Sequence, residues 1–399
     1  MLVLHAPQAN AAGHRLEVLL DFAMLAVIVL AGLFGPLLAY PQGWHVPEVV
    51  GELLVGVILG STGLGYLDAS DPTFSFLAEV GFGLVMFVVG THVPIRDHNL
   101  QGGLGRAIAR AVLVGAGSAV LGVVIASAFG TGHAALYAVL MASSSAALIL
   151  PIIESLDLQG EQVLQLLPQV AIADAACIVA LPLAIDSEHA GRAGLGALAV
   201  ITTGAALFGV LRFLERKQYR RRLHRVSEQR HFALELRISL VILFSLAAVA
   251  GRSHVSVMLA GFVFGLAVAA VGQPRRLARQ LFAVTDGFFG PLFFVWLGAS
   301  LDLRALAARP TLILLGLVLG FGALISHSLA GATGQPLNLS SLAAAQLGVP
   351  VAAAALGTSL NVLQPGESAA LILGALVTIA AATIAGGSAA RKQGVSSAE

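Results

Sequence analysis

Charge is what this 399-residue chain has least of: only 11% of its residues are Asp, Glu, Lys or Arg, while 57% are hydrophobic. A soluble domain of this size needs a charged surface, and a surface that faces lipid does not. Cysteine is almost missing too. The single Cys177 excludes an intrachain disulfide and any multi-cysteine metal site. A net charge of +1 argues against nucleic acid as a partner. The chain has no H-E-x-x-H, G-x-S-x-G or phosphate-binding G-x-x-x-x-G-K pattern, so neither an enzyme nor a bound cofactor is expected. No cleavable signal peptide is read either, since Arg15, Glu17 and Asp21 flank a run long enough to be a span.

What is abundant is apolar length and glycine, with 45 glycines in the chain. Small residues let helices approach closely in lipid. Runs of about 20 mainly apolar residues qualify as spans. Thirteen are read, near 18–40, 46–64, 74–92, 104–129, 133–156, 163–186, 194–214, 233–251, 255–271, 285–302, 309–331, 339–363 and 367–388. The expected fold is therefore an all-α polytopic membrane protein of about 13 transmembrane helices. The chain divides into a tail (1–17), a first membrane repeat with a linker helix (18–211), a basic loop (212–237), a second repeat (238–388) and a tail (389–399).

Orientation follows from the basic residues. Nine lie between Arg212 and Arg237, and placing that loop in the cytoplasm puts seventeen of the 22 Lys and Arg inside. The amino terminus then falls outside, the carboxyl terminus in the cytoplasm, and the expected location is the cell (inner) membrane.

The chain also repeats itself. Gly51 to Gly60 reads like Leu259 to Gly265, and Val80 to Gly90 reads like Phe289 to Gly298, at offsets a little over 200 residues. Seven spans per offset turn the second copy upside down. Inverted repeats of this kind place a transporter's ion site at the midplane between copies. Two spans at matching positions are interrupted, the first by Ser143, Ser144 and Ser145, the second around Gln346 to Pro350. Serines and a proline in mid-span weaken or free backbone hydrogen bonds, which a neighbour, water or an ion must then satisfy.

Asp174 lies at the middle of the span 163–186, directly after the first broken span. A charged carboxylate at bilayer depth costs roughly 3 kcal/mol on insertion scales, so its default role is an ion or proton site. Serving only as a protonated hydrogen-bond donor is the bland alternative. With Ser143, Ser144 and Ser145 it supplies hard oxygen ligands suited to transient Na⁺ or K⁺, or to a proton. Glu52 and Glu79 sit about a turn and a half inside their spans, as access-path candidates or as helix-packing residues. Glu154, with Asp157 and Glu161, either gathers cations at the cytoplasmic mouth or forms a polar loop. His327, well inside the span 309–331, reads as a satisfied core histidine.

Pro47 to Gly60, Leu77 to Gly90 and Gly290 to Leu303 together resemble the second, third and tenth spans of bacterial monovalent cation:proton antiporters of the sodium/hydrogen exchanger superfamily. The resemblance covers nearly the whole membrane region. It implies thirteen spans, a homodimer, a core of two broken, crossing helices that moves against a dimerisation domain, and Asp174 as the ion-binding acid. Departures are specific. Ala173 stands where members place Asp, Asn or Gln. His327 or Ser328 falls near a Lys or Arg of the family, and Val351-Ala352-Ala353 replaces an Arg-Gly-Glu run after Pro350. A nucleotide-binding regulatory tail, found in the gated potassium-efflux members, is not expected. The implied function is electroneutral exchange of Na⁺ or K⁺ for H⁺. The rival readings are a cation- or proton-coupled carrier of an organic or anionic solute, and a non-transporting membrane sensor or assembly partner.

Overall fold

The computed structural model describes residues 22–40, 48–91, 104–185, 190–216, 234–252, 257–272 and 275–396. Among them the regular structure is helical. In chain order the helices are α1 (Phe22–Gly32), α2 (Phe34–Ala39), α3 (Glu48–Leu59), α4 (Pro72–Thr91), α5 (Leu104–Phe129), α6 (Ala134–Ala142), α7 (Ala146–Ser155), α8 (Glu161–Ile185) and α9 (Ala190–Arg216). They continue with α10 (Leu234–Arg252), α11 (Val257–Val271), α12 (Arg275–Val284), α13 (Gly290–Ser300), α14 (Leu303–Ala308), α15 (Pro310–Ser328), α16 (Leu337–Ala343), α17 (Gly348–Ser359) and α18 (Glu367–Ser396). A π-helical turn, Thr285–Phe289, joins α12 to α13, and a 3₁₀ segment, Leu329–Thr333, ends α15.

Each of the thirteen predicted spans falls on one of these helices or on a consecutive pair. Among the described residues eight segments are long and apolar enough to cross a membrane outright, and Phe22–Leu38 and Val257–Val271 are shorter apolar stretches. The first predicted span is two helices, α1 and α2, separated at Leu33, whose backbone stays in the right-handed helical region. The last runs on to Ser396, beyond its expected end at 388, because the sequence there contains no proline to stop it. α12 was not expected as a span, and its arginines explain why hydropathy passes over it. The amino-terminal tail 1–17 and most of the basic loop lie outside the described residues.

Chemistry differs between the bundle's surface and its interior in the way lipid requires. Val112, Val120, Val123 and Val124 of α5, and Leu195 and Leu198 of α9, are exposed. Water would penalise such faces, whereas hydrocarbon does not. Inside, Phe82 of α4 stacks on Phe293 of α13 at 4.6 Å between centroids. Trp296 donates its indole N–H to the Ala69 carbonyl at 2.9 Å, satisfying the one polar atom of a large apolar side chain.

Two glycine contacts reveal the symmetry. α3 lies on α13 where Gly56 faces Gly298, and α4 lies on α11 where Gly90 faces Gly265. A Cβ on Gly56 would stand 2.3 Å from the Val295 carbonyl oxygen, and one on Gly265 would stand 2.2 Å from that of Phe87. Only glycine permits these approaches. Gly265 lies 209 residues after Gly56 and Gly298 lies 208 after Gly90, both close to the offset of the sequence repeat. The contact of each copy's second span with the other copy's third span is therefore made twice, as a pseudo-two-fold axis demands.

Candidate functional site

Both predicted interruptions are breaks in the helices. α6 ends at Ala142 and α7 begins at Ala146, with Ser143 turning to an extended backbone at φ −71°, ψ 152°. α16 ends at Ala343 and α17 begins at Gly348. Pro350 does not itself break the second span. It sits buried in the first turn of α17, where its missing N–H has no carbonyl to meet. The interruption lies just before it, at Ala344 to Leu347.

The breaks touch each other. Ser144 is buried, and its hydroxyl donates to the Ala343 carbonyl at 2.7 Å, a carbonyl freed by the end of α16. Ser143 turns its hydroxyl back to the Leu140 carbonyl at 2.8 Å, satisfying the last turn of α6. Ser145 is buried, and its carbonyl accepts from Leu148 and Ile149, starting α7. Each of the three serines is thus in the break, although their hydroxyls differ in task.

Asp174 stands beside this crossing on α8, which carries Pro168 and Pro182 either side of it. It is 2% exposed. The Ala146 N–H, at the first position of α7, donates to Asp174 Oδ2 at 3.3 Å. A helix N-terminus carries orphan N–H groups and a partial positive charge, so it favours a carboxylate there. The first break therefore has two poles. Its α7 side faces the acid, and its α6 side presents freed carbonyls.

His327 occupies the second pole. Its ring faces the Met141 and Ser143 carbonyls. It is buried, yet neither nitrogen has a hydrogen-bond partner of good geometry among the described residues. The residue is in the core as expected of a core histidine, with the two carbonyls as its nearest polar neighbours.

Other polar groups converge on the second break. Gln346 is buried within it, its N–H donates to Thr378 Oγ1 at 3.2 Å, and its side-chain Nε2 has no partner among the described residues. Thr378 on α18 is itself buried and donates to the Ala375 carbonyl at 2.7 Å. Gln169 of α8, likewise buried, has no partner for its Oε1 among the described residues. Sequence reading did not single out Gln346, Gln169 or Thr378 as site residues. A lone glutamine in mid-span was the available signal for two of them; a threonine in an apolar helix carries none.

The remaining candidates lie elsewhere. Glu52 is buried, but its neighbours are Gly35, Glu48 and Asp286 rather than residues of the break. Glu79 is exposed on α4. Glu154 belongs to α7, with its side chain outside the described residues.

Comparison with known proteins matches this architecture. The YjbQ protein of Bacillus subtilis is 23% identical over 378 residues, covering 89% of this chain and 61% of YjbQ. The Na⁺/H⁺ antiporter NhaS5 of Synechocystis is 26% identical over 358 residues, 85% of this chain and 49% of NhaS5. The chain thus spans only about half to three-fifths of the length of these two relatives. The structure of the sodium proton antiporter MjNhaP1 from Methanocaldococcus jannaschii at pH 8 superposes with a TM-score of 0.64 at 16% identity, covering 91% of this chain and 94% of that one. The profile of the transmembrane sodium/hydrogen exchanger family matches residues 24–391, and the chain belongs to that family.

Proposed function

We propose that the protein exchanges a monovalent cation, Na⁺ or K⁺, for H⁺ by alternating access, with both ions competing for Asp174. The observation that carries this reading is the buried Asp174 carboxylate at the N-terminus of α7, beside the crossing of two broken helices. Such a carboxylate is costly when charged and alone. It therefore holds a proton or a desolvated cation, and not both. Ser143, Ser144, Ser145 and freed carbonyls complete the cation's oxygen shell in this reading. Relatives are named for Na⁺/H⁺ antiport in NhaS5 and for Na⁺/H⁺-K⁺ antiport in GerN of Bacillus cereus, which is 22% identical over 257 residues.

Exchange is expected to be electroneutral, one H⁺ against one cation, because Ala173 replaces a second acid beside Asp174. The basic loop 212–237 faces the cytoplasm in this reading, the amino terminus faces outside, and the protein works as a homodimer in the inner membrane. The test is dequenching of a pH-sensitive dye in everted vesicles on addition of Na⁺, K⁺ and Li⁺ in turn. Dequenching by at least one of them, absent in vesicles without the protein, is expected. No response to any would overturn the antiport reading.

A further inference from the structure

A second cluster of polar groups lies far from the break, at the other ends of the same helices. His133 immediately precedes α6, and its Nδ1 is 2.7 Å from Glu367 Oε1. Tyr137, one turn into α6, donates its hydroxyl to the same oxygen at 2.8 Å. The Gln364 N–H donates to Glu367 Oε2 at 2.9 Å. Glu367 is 0% exposed and opens α18, while His133, 19% exposed, closes over it. The His133 ring also faces the Val362 carbonyl.

Topology gives the cluster its meaning. His133 fixes the start of the first broken helix. Val362 and Gln364 belong to the short connection 360–366 that leaves the second broken helix, α17. Glu367 begins the helix whose Thr378 reaches the second break. One imidazole–carboxylate pair thus ties the ends of both broken helices together, on the face that the loop charges assign to the outside.

We propose that His133 and Glu367 form a proton-dependent clamp, closed when the imidazole is charged, that fixes these ends of the two broken helices against each other. A charged imidazole donates from both nitrogens, to the Glu367 carboxylate and toward the Val362 carbonyl. A neutral ring has one N–H. With that proton held by the carboxylate at Nδ1, the other nitrogen presents a lone pair to the Val362 carbonyl, and the connection 360–366 loses its hold. Histidine is the side chain whose ordinary titration falls in the range where such a change is useful.

The other titratable groups on the packed elements lie apart. Asp174, Cys177 and His327 are at the break, at the far end of α6, and Arg106 and Arg110 are at the opposite end of α5. Arg304 of α14 directs its Nε to the Thr62 carbonyl at 3.1 Å, and Arg309 is exposed. Tyr137 and Glu367 are the groups that face the ring. Any effect of the clamp on turnover rests on the antiport reading above; the clamp itself does not.

The test uses the purified protein in detergent with Cys177→Ala as background. Leu363→Cys, in the half-buried connection, is labelled by a maleimide, and Thr73→Cys, exposed in another part of the fold, serves as reference at each pH. Between about pH 5.5 and pH 8.5, which brackets the ordinary imidazole range, the Leu363→Cys rate relative to the reference should rise about threefold or more. Adding His133→Gln should give the fast rate at every pH, and adding His133→Arg, permanently charged, the slow one. A flat ratio in the His133 protein, or a pH dependence that persists in His133→Gln, would overturn the clamp. Should His133→Gln fail to fold, His133→Arg decides alone: a rise with pH in that variant overturns it equally. Since labelling is read without ion flux, failure here is distinct from failure of antiport.

Discussion

The Ser144 hydroxyl donates to the Ala343 carbonyl at 2.7 Å, and this bond joins the break of the first interrupted helix to the end of the half-helix that precedes the second. Ser144→Ala leaves that carbonyl buried without its donor. Removing one partner of a buried hydrogen bond costs about 1–3 kcal/mol, so the variant should melt at a lower temperature. Its apparent cation affinity should fall without exchange being abolished, because other freed carbonyls and water still coordinate. The cation concentration giving half-maximal dye dequenching measures this; an unchanged value would remove Ser144 from the site.

The paired glycines predict where bulk is forbidden. Gly265→Leu puts side-chain atoms where the Phe87 carbonyl already stands, and Gly56→Leu does the same against Val295. Overpacking a close contact costs typically about 1–3 kcal/mol, and backbone gives less readily than side chain. Both variants should lose folded yield in detergent to a similar degree, since they occupy equivalent positions in the two repeats. Gly209→Ala on α9, with nothing within 4 Å of the added carbon, should be neutral or stabilising. Equal melting temperatures for all three would contradict the packing described.

His327 makes a prediction of the opposite sign. Its ring nitrogens are buried and unmet among the described residues. Replacing an unpartnered polar group by an apolar one of similar size is close to neutral. His327→Leu should therefore fold with a melting temperature no lower than the parent. A fall corresponding to more than about 1 kcal/mol would mean that the imidazole has a stabilising partner after all.

Much of this organisation was legible in the sequence, for physical reasons. Lipid imposes length and polarity rules strict enough that thirteen spans, and both broken ones, follow from the apolar runs and their interruptions. Asp174 stood out because a mid-span acid is expensive. What escaped was whatever depends on the angle at which helices meet. Pro350 looks like a breaker in sequence, but a proline in a first helical turn is well placed, so the break fell before it. Glu52 and Glu79 have similar depth in their spans, yet one is buried and the other exposed, since depth says nothing about facing. His133 and Glu367 are remote in sequence and lie at span ends, where charged residues draw no notice.

The expected stoichiometry rests on Asp174, the acid in the middle of α8, having no second acid beside it. With Ala173 beside Asp174, each cycle should move one proton against one monovalent cation and carry no net charge. Exchange in proteoliposomes should then keep its rate when a membrane potential is imposed with a potassium gradient and ionophore, using Na⁺ as the test cation. A rate that changes several-fold with the sign of the potential would require a further group to titrate, and His327, facing the same break, would be the first to substitute.

Asp174 carries the strongest prediction. Its carboxylate is buried, accepts the Ala146 N–H at 3.3 Å, and lies beside the crossing of the broken helices. If proton and cation alternate there, raising the proton concentration should inhibit cation binding competitively, shifting the half-saturating cation concentration and leaving the maximal rate unchanged. Asp174→Asn keeps the size and a carbonyl oxygen that can still accept from Ala146, but it cannot ionise. The variant should fold as well as the parent, because removing a costly buried charge rarely destabilises, and it should exchange nothing. Asp174→Glu keeps the charge and moves it by one methylene, so exchange should persist at a reduced rate with an altered order of preference among Na⁺, K⁺ and Li⁺. Proton flux driven by each cation, at matched expression, separates these outcomes. Asp174→Asn exchanging at the parent's rate would move the ion site away from the break, and with it the role assigned here to the three serines.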